Sequence, residues 1–291
     1  MKILLIGCNG QLGWELQRAC MTLGQVMALD YPQIDIRQSA LLRELIQSTR
    51  PDVLLNPAAY TNVEKAEIER ETALDVNGRA PGVMAEEMKK LGGVFIHYST
   101  DYVFDGKKRT PYTEEDAPNP LNEYGSSKLA GEQAVQAAGG GALIFRTSWV
   151  YSLRIGGFVN KVLQWSRQQE VMRVVDDQTG SPTWARMLAE ATALVIARGG
   201  NDVSAFLHGR EGIYHLAGSG AANRYEWARE VIARDPAKTE QVVKELLPAK
   251  SDEFPSRVTR PAYSALDCSR FEHTFGIPIP DWKLGVQLAL S

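Results

Sequence analysis

Between Lys2 and Tyr151 the chain alternates short apolar runs with stretches whose apolar residues recur at helical spacing. KILLIG is an apolar run closed by Gly7, as expected of a parallel strand buried on both faces. Leu12, Leu16, Ala19 and Leu23 then fall at i, i+4, i+7 and i+11, which predicts a helix stopped at Gly24. VMALD reads as a second strand, and SALLRELIQST as a helix with Ser39 as its N-cap. PDVLLNPAAY reads as a third strand, followed by a long helical stretch from Val63 to Leu91 with an interruption near Pro81. VFIHYST, a helix carrying Tyr124, and ALIFRTSWVY complete the series. Strand and helix alternating over short connections predict an α/β fold with a doubly wound parallel sheet of Rossmann type.

The second half is broken into shorter pieces by Pro182, the Gly199–Gly200 pair, Pro236, Pro248 and Pro255. VVDDQTGSPTW and GIYHLAGSG read as strands running into loops, RYEWAREVIARD as a helix, and LLPAKSDEFPSRVTRPAYSALD as a long, weakly periodic loop. We expect a dinucleotide-binding domain from residues 1–149 plus about 183–219. A smaller C-terminal α/β substrate-binding lobe is expected from about 150–182 plus 220–291.

Composition narrows the classes of function. With 291 residues, 44% hydrophobic and 23% charged, the chain is long enough for a large core and polar enough to be globular. A net charge of -3 supplies no basic field for nucleic acid. The apolar start is too short for a signal peptide, and no apolar run reaches the length of a membrane span. Cys8, Cys20 and Cys268 are scattered without a C-x-x-C pair, which argues for a reducing, cytoplasmic setting and against a zinc site. His97, His208, His215 and His273 show no ligand spacing, so no metal ligands are assigned.

GCNGQLG places Gly7, Gly10 and Gly13 between the first strand and the first helix. Glycines there permit a tight turn and let backbone approach a pyrophosphate, while the helix N-terminus favours negative charge. Asp30 ends the second strand, in the window where a carboxylate takes the adenosine ribose hydroxyls. The cofactor is therefore expected to be NADPH or NADH. Asp30 favours NADH and the nearby Arg37 argues the other way. Asp35 and Ile36 lie near the adenine or, equally, Asp35 begins a helix.

Ligands of such sheets bind outside the carboxyl ends of the strands. STDYVF and SWVY both follow strands, and the Tyr124 helix starts between them. Tyr124 and Lys128 are spaced to share one helix face. A cation beside the phenol is expected to lower its pKa from about 10, making Tyr124 a proton donor to a carbonyl oxygen as hydride reaches the carbon. Lys128 would also hold the nicotinamide ribose, and Thr100 would orient the same oxygen.

GCNGQLGWELQ, NPAAYTNVEKAE, HYSTDYVFDG, YGSSKLAGE, FRTSWVY and DQTGSPT together resemble the extended short-chain dehydrogenase/reductases, and within them the dTDP-4-dehydrorhamnose reductases. The resemblance spans essentially the whole chain. It implies reduction of the C4 ketone of dTDP-4-dehydro-β-L-rhamnose by NADPH or NADH, giving a donor for cell-surface polysaccharide. It assigns catalysis to Thr100, Tyr124 and Lys128. The family's cofactor contacts match Gly10, Gln11 and Leu12, then Asp30, Asp35 and Ile36, then Ala59, Tyr60 and Thr61; Gly7 and Gly13 of the glycine loop, Ala58, and Tyr124 with Lys128 complete the expected cofactor set. The dTDP-sugar would meet Thr100, Asp101 and Trp149, and Tyr102 is a further substrate candidate. Relatives often carry alanine where this chain has Pro57. Related 4,6-dehydratases carry Thr-Asp-Glu where this chain has Tyr102 after Asp101, which favours ketone reduction over dehydration. The resemblance leaves open a magnesium ion, for which no compact ligand set is visible, and a homodimer, for which no exposed stripe marks an interface. It also leaves open a related epimerase, another sugar-nucleotide reductase or a non-catalytic cofactor-binding subunit.

Further residues carry two readings each. Trp149 stacks on a ligand or simply packs. Arg257 and Arg260 clamp a diphosphate or are solvated. Asn77 fixes backbone near the site or is an ordinary helix residue. Glu64, Glu67, Glu69 and Glu71 read as a solvated acidic face.

Overall fold

The first apolar run becomes β1 (Lys2–Ile6) in the computed structural model, which describes residues 1–291. It is followed by α1 (Gln11–Ala19), β2 (Gln25–Leu29), α2 (Ser39–Thr49), β3 (Val53–Asn56), α3 (Val63–Ala66), α4 (Arg70–Leu74), α5 (Ala80–Leu91) and β4 (Val94–Thr100). Next come α6 (Glu123–Ala138), β5 (Gly141–Thr147), β6 (Val150–Tyr151), α7 (Phe158–Ser166), β7 (Val171–Val175), β8 (Thr179–Gly180), β9 (Thr183–Trp184) and α8 (Ala185–Arg198). The chain ends with α9 (Val203–Leu207), β10 (Gly212–His215), β11 (Ala222–Asn223), α10 (Arg224–Arg234), β12 (Glu245–Ala249), α11 (Ser269–Phe275) and α12 (Trp282–Ala289).

Six strands form one parallel sheet in the order β10-β5-β4-β3-β1-β2. Successive residues of a strand point to opposite faces, and the core divides accordingly. Ile3, Leu5, Val53, Leu55, Val94 and Ile96 pack with α1, α8 and α11 on one side. Leu4, Ile6, Leu54 and Phe95 pack with α2, α5 and α6 on the other. Both faces are covered, which is why the strands read as unbroken apolar runs. A separate apolar cluster joins Tyr151, Val159, Val162, Met172, Val174, Trp227, Val231, Trp282 and Val286, around the parallel pair β12 and β7. No helix is long and apolar enough to cross a membrane.

Several local expectations are corrected. α1 ends at Ala19, and a turn rather than helix leads to Gly24. Ser39 is the first helical residue of α2, not its cap, and Gln38 makes no side-chain cap. The break in the long helical stretch falls before Pro81. Residues 67–69 form a turn, and Asp75–Arg79 form a π-helical segment leading into α5. Pro81 sits in the first turn of α5, where its missing N–H costs little. β3 stops at Asn56, so Pro57–Tyr60 is open chain at the sheet's carboxyl edge. ALIFRTSWVY divides at Trp149, which adopts φ 45° and sends β6 to pair with β9. The late segment is more ordered than its weak periodicity implied. β12 contains Pro248, and backbone bridges tie Tyr263 to Thr179 and Leu266 to Tyr112.

Candidate active site

The carboxyl ends of β2, β1, β3, β4 and β5 line one long cavity of about 980 Å³. Gly7 begins it with φ +100°, and a Cβ there would lie 2.7 Å from the Ala58 nitrogen. A Cβ on Gly13 would lie 2.0 Å from the Gly7 carbonyl oxygen, so α1 can start this close to β1 only without a side chain. Gly10 is the N-cap of α1 and supplies no side-chain cap, which leaves the first-turn N–H groups to a ligand. Gln11 and Leu12 line the same cavity, and Gln11 Oε1 accepts from the Ser152 amide at 2.7 Å.

Asp30 follows β2 and braces the loop. Its carboxylate accepts from the backbone of Asn9 and of Tyr31, each at 2.7 Å, and retains lone pairs for a further donor. Asp35 is clamped by the guanidinium of Arg37 at 2.6 and 2.8 Å, which with the Arg37 backbone holds its carboxyl down at about 2. Ile36 lies between them, buried, and all three line the cavity. Ala58, Ala59, Tyr60 and Thr61 form the next stretch of wall. Asn77 fixes that stretch: its side chain accepts from Tyr60 N at 2.8 Å and donates to Tyr60 O at 3.1 Å and to Ser127 Oγ at 3.0 Å. Asn77 thus does fix backbone at the cavity wall.

Thr100 ends β4. Its hydroxyl donates to Asp101 at 3.1 Å and accepts from the Tyr102 amide at 3.1 Å, and it lines the same cavity wall as Tyr124. Asp101 is buried, and burial raises its pKa. It is compensated by hydroxyls from Ser264 at 2.5 Å, Ser148 at 2.9 Å and Thr100. Asn122 caps α6 by accepting from Gly125 N at 2.9 Å, and it also donates to the Thr259 carbonyl at 3.0 Å. A Cβ on Gly125 would lie 2.2 Å from the Tyr102 carbonyl oxygen, so glycine brings Tyr124 against Thr100.

The expected Tyr124–Lys128 coupling is corrected here. The Lys128 ammonium, 1% exposed, donates to the Tyr98 carbonyl at 2.6 Å and meets His97 Nε2 at 3.3 Å. Its charge is spent on β4 rather than on the phenol. Burial raises the pKa of Tyr124 and so holds the phenol protonated. Burial lowers Lys128 to about 8.

A second cavity of about 960 Å³ shares Gly156 with the first and is lined by Lys161, Arg173, Arg224 and Arg260. Trp149 lies between the two regions with Arg224 3.6 Å above its ring, and it stacks on Trp227 at 5.6 Å. Tyr102 lines neither cavity. Its ring meets Tyr124 edge-on at 5.7 Å, and its hydroxyl faces Arg224 and Arg260. Gly13 also stays off the cavity wall, beneath the loop it allows. The remaining expected residues line the first cavity.

The acidic stretch is less solvated than expected. Glu67 accepts from the Glu123 amide at 2.9 Å, Glu69 from the Tyr60 hydroxyl at 2.7 Å, and Glu64 pairs with Arg260 at 2.9 Å. Arg257 is exposed and Arg260 is not. Sequence reasoning missed Arg224, the first residue of α10. Asn223 and Glu226 around it form a capping box, a signal that would have placed it at a helix start. It also missed Ser99 and Thr147, whose buried hydroxyls line the first cavity without a protein partner. The uncapped helix start, the open glycine cradle and these two hydroxyls suit a polar dinucleotide. No group of three or more His, Cys, Asp or Glu side chains is arranged to hold a metal ion.

The fold is that of the extended short-chain dehydrogenase/reductases. UDP-glucose 4-epimerase from Thermotoga maritima superposes with a TM-score of 0.79 over 100% of this chain and 97% of that one, at 18% identity, a likeness of fold alone. Residues 1–291 match the RmlD substrate binding domain family, and the chain belongs to it. The dTDP-4-dehydrorhamnose reductase of Burkholderia thailandensis is 41% identical over 100% of this chain and 98% of that protein. The enzyme of the same name from Escherichia coli K12 is 38% identical over 100% and 97%. Among solved structures, the Clostridium acetobutylicum dTDP-4-dehydrorhamnose reductase superposes with a TM-score of 0.91 at 32% identity, over 100% of this chain and 98% of that one. The Bacillus anthracis reductase, crystallised in complex with NADP, gives 0.86 at 30% identity, over 99% and 97%.

Proposed function

We propose that this chain is an NAD(P)H-dependent oxidoreductase that reduces the C4 ketone of dTDP-4-dehydro-β-L-rhamnose to dTDP-β-L-rhamnose, the last step of dTDP-rhamnose synthesis. Full-length relatedness to reductases of that name supports the substrate. The observation that carries the chemistry is that Thr100, Tyr124 and Lys128 share one wall of the cavity that begins at the glycine loop.

Gly7, Gly10, Gln11 and Leu12 hold the pyrophosphate, Gly13 lets the loop close beneath it, and Asp30 holds the adenosine ribose. Asp35 and Ile36 flank the adenine, Ala58 to Thr61 line the path onward, and Tyr124 and Lys128 hold the nicotinamide ribose. Reduced nicotinamide, when bound, supplies the hydride for the ketone carbon. Tyr124 is kept protonated by burial, the form a donor requires, and gives its proton to the C4 oxygen. Thr100 turns its single hydroxyl proton from Asp101 to that oxygen. Trp149 borders the sugar, Tyr102 backs Tyr124 from outside the cavity, and Lys161 and Arg224, which pair with no carboxylate, offer positive charge in the second cavity to a nucleoside diphosphate. In this reading a dinucleotide domain and a sugar-nucleotide lobe hold the two ligands in the two cavities that share Gly156. Three free cysteines support a cytoplasmic location.

The test is to incubate the purified protein with NADPH and dTDP-4-dehydro-β-L-rhamnose and to identify the product by NMR. The reading expects consumption of NADPH and a dTDP-β-L-rhamnose product. Failure to consume either NADPH or NADH, tried in parallel, or formation of the C4 epimer alone, would refute it.

A further inference from the structure

Asn56 and His97 are register partners on β3 and β4, and both are fully buried. Their side chains meet at 3.1 Å through His97 Nδ1. The other ring nitrogen, Nε2, lies 3.3 Å from Lys128 Nζ. Neither Asn56 nor His97 lines the cavity, so neither touches a ligand there.

An ammonium can only donate, so Nε2 must accept and the imidazole proton must sit on Nδ1. In the structure Asn56 Nδ2 faces Nδ1 and the amide oxygen has no partner; turning the amide over presents that oxygen to the Nδ1 proton. One arrangement thus fixes both the tautomer and the ring. The Tyr98 carbonyl takes a second ammonium proton, and the third is left for the cavity that Lys128 lines. The charged and titratable groups around Lys128 are few. Glu132 on α6 is committed to Arg146 of β5 by hydrogen bonds of 2.7 and 2.9 Å. Tyr124 and Asp101 lie toward the cavity, and burial with the Lys128 charge nearby keeps His97 neutral. His97 is the side chain left to solvate the ammonium.

We propose that His97, oriented by Asn56, is a positioning residue for Lys128: its Nε2 accepts from the ammonium, sustains the charge in a buried place and holds it at the cavity wall. The inference deepens the reductase reading and rests on it for its functional meaning. Its physical content concerns the protein alone.

The test compares His97→Gln, whose amide oxygen reaches the place of Nε2, with His97→Asn, whose amide reaches only the place of Nδ1. Lys128 is followed in the full chain by NMR of protein labelled with 13C at lysine Cε, its signal assigned by its loss in Lys128→Met. The wild type should titrate near 8. His97→Asn should lower that midpoint by about half a unit or more, since an acceptor of the charged form is lost, and His97→Gln should largely restore it. The alkaline limb of kcat/KM should move in step. Equal midpoints in wild type and His97→Asn, or equal shifts in both variants, would overturn the proposal. If His97→Asn does not fold, a His97→Gln midpoint as low as that expected for a lost acceptor would do the same. A wild-type protein that leaves both NADPH and NADH unoxidised would refute the reductase reading, and the NMR titration would still decide this one.

Discussion

The ammonium of Lys128 donates to the main-chain carbonyl of Tyr98 across 2.6 Å, one strand residue beyond the histidine that it also meets. A lysine on the Tyr124 helix is thereby anchored to the strand that ends in Thr100. That link positions a charge, and it does so at the expense of stability, because the group is desolvated.

Lys128→Met should therefore separate function from stability. Turnover and NADPH affinity should each fall at least about tenfold, since the group proposed to hold the nicotinamide ribose is gone. The melting temperature should rise by roughly 2–4 °C, the shift expected for about 1 kcal/mol in a chain of this size. Below pH 8 the lysine is charged both folded and unfolded, and the folded protein carries the whole desolvation cost. Between about 8 and the ordinary value of 10.5 the folded chain loses its proton first, so wild-type stability climbs with pH. The gap in melting temperature should be widest below pH 8 and close towards 10.5. Calorimetry across that range checks it, and a gap that widens with pH would be the wrong sign.

Asn77 holds the Tyr60 backbone and Ser127 through three hydrogen bonds. Asn77→Ala leaves buried partners unpaired and should cost about 2 kcal/mol in denaturant unfolding. Because Tyr60 lines the cavity, KM for NADPH should rise several-fold while kcat changes less. A stability loss with an unchanged KM would assign Asn77 to folding alone.

Gly13→Ala tests the loop geometry. Its methyl group would overlap the Gly7 carbonyl, where only backbone can move. We expect a loss of about 3 kcal/mol or more and no measurable NADPH binding by fluorescence titration. Near-native stability with normal affinity would mean that the loop has room the structure does not show.

Much of the architecture was legible in the sequence because strands buried on both faces leave unbroken apolar runs, as KILLIG and VLLN do. The glycine loop was legible for a similar reason, since close backbone approach demands a residue type. What escaped depends on tertiary placement. Nothing local distinguishes Arg224 from other helix-start arginines, and only the fold carries it over Trp149. Tyr124 and Lys128 do share one helix face, but spacing cannot say where a long side chain ends. Lys128 turned to β4, where a buried carbonyl and His97 were waiting. The strand break at Trp149 was hidden because the residues on either side are equally β-prone.

The most direct test of the central claim, that the Tyr124 phenol protonates the sugar's C4 oxygen, is the NADPH oxidation rate of Tyr124→Phe with saturating dTDP-4-dehydro-β-L-rhamnose. NADPH affinity should be measured beside it by fluorescence. Loss of the donor should lower turnover by at least ~100-fold and leave affinity within about threefold of wild type. Turnover within a few-fold of wild type would show that the proton comes from elsewhere.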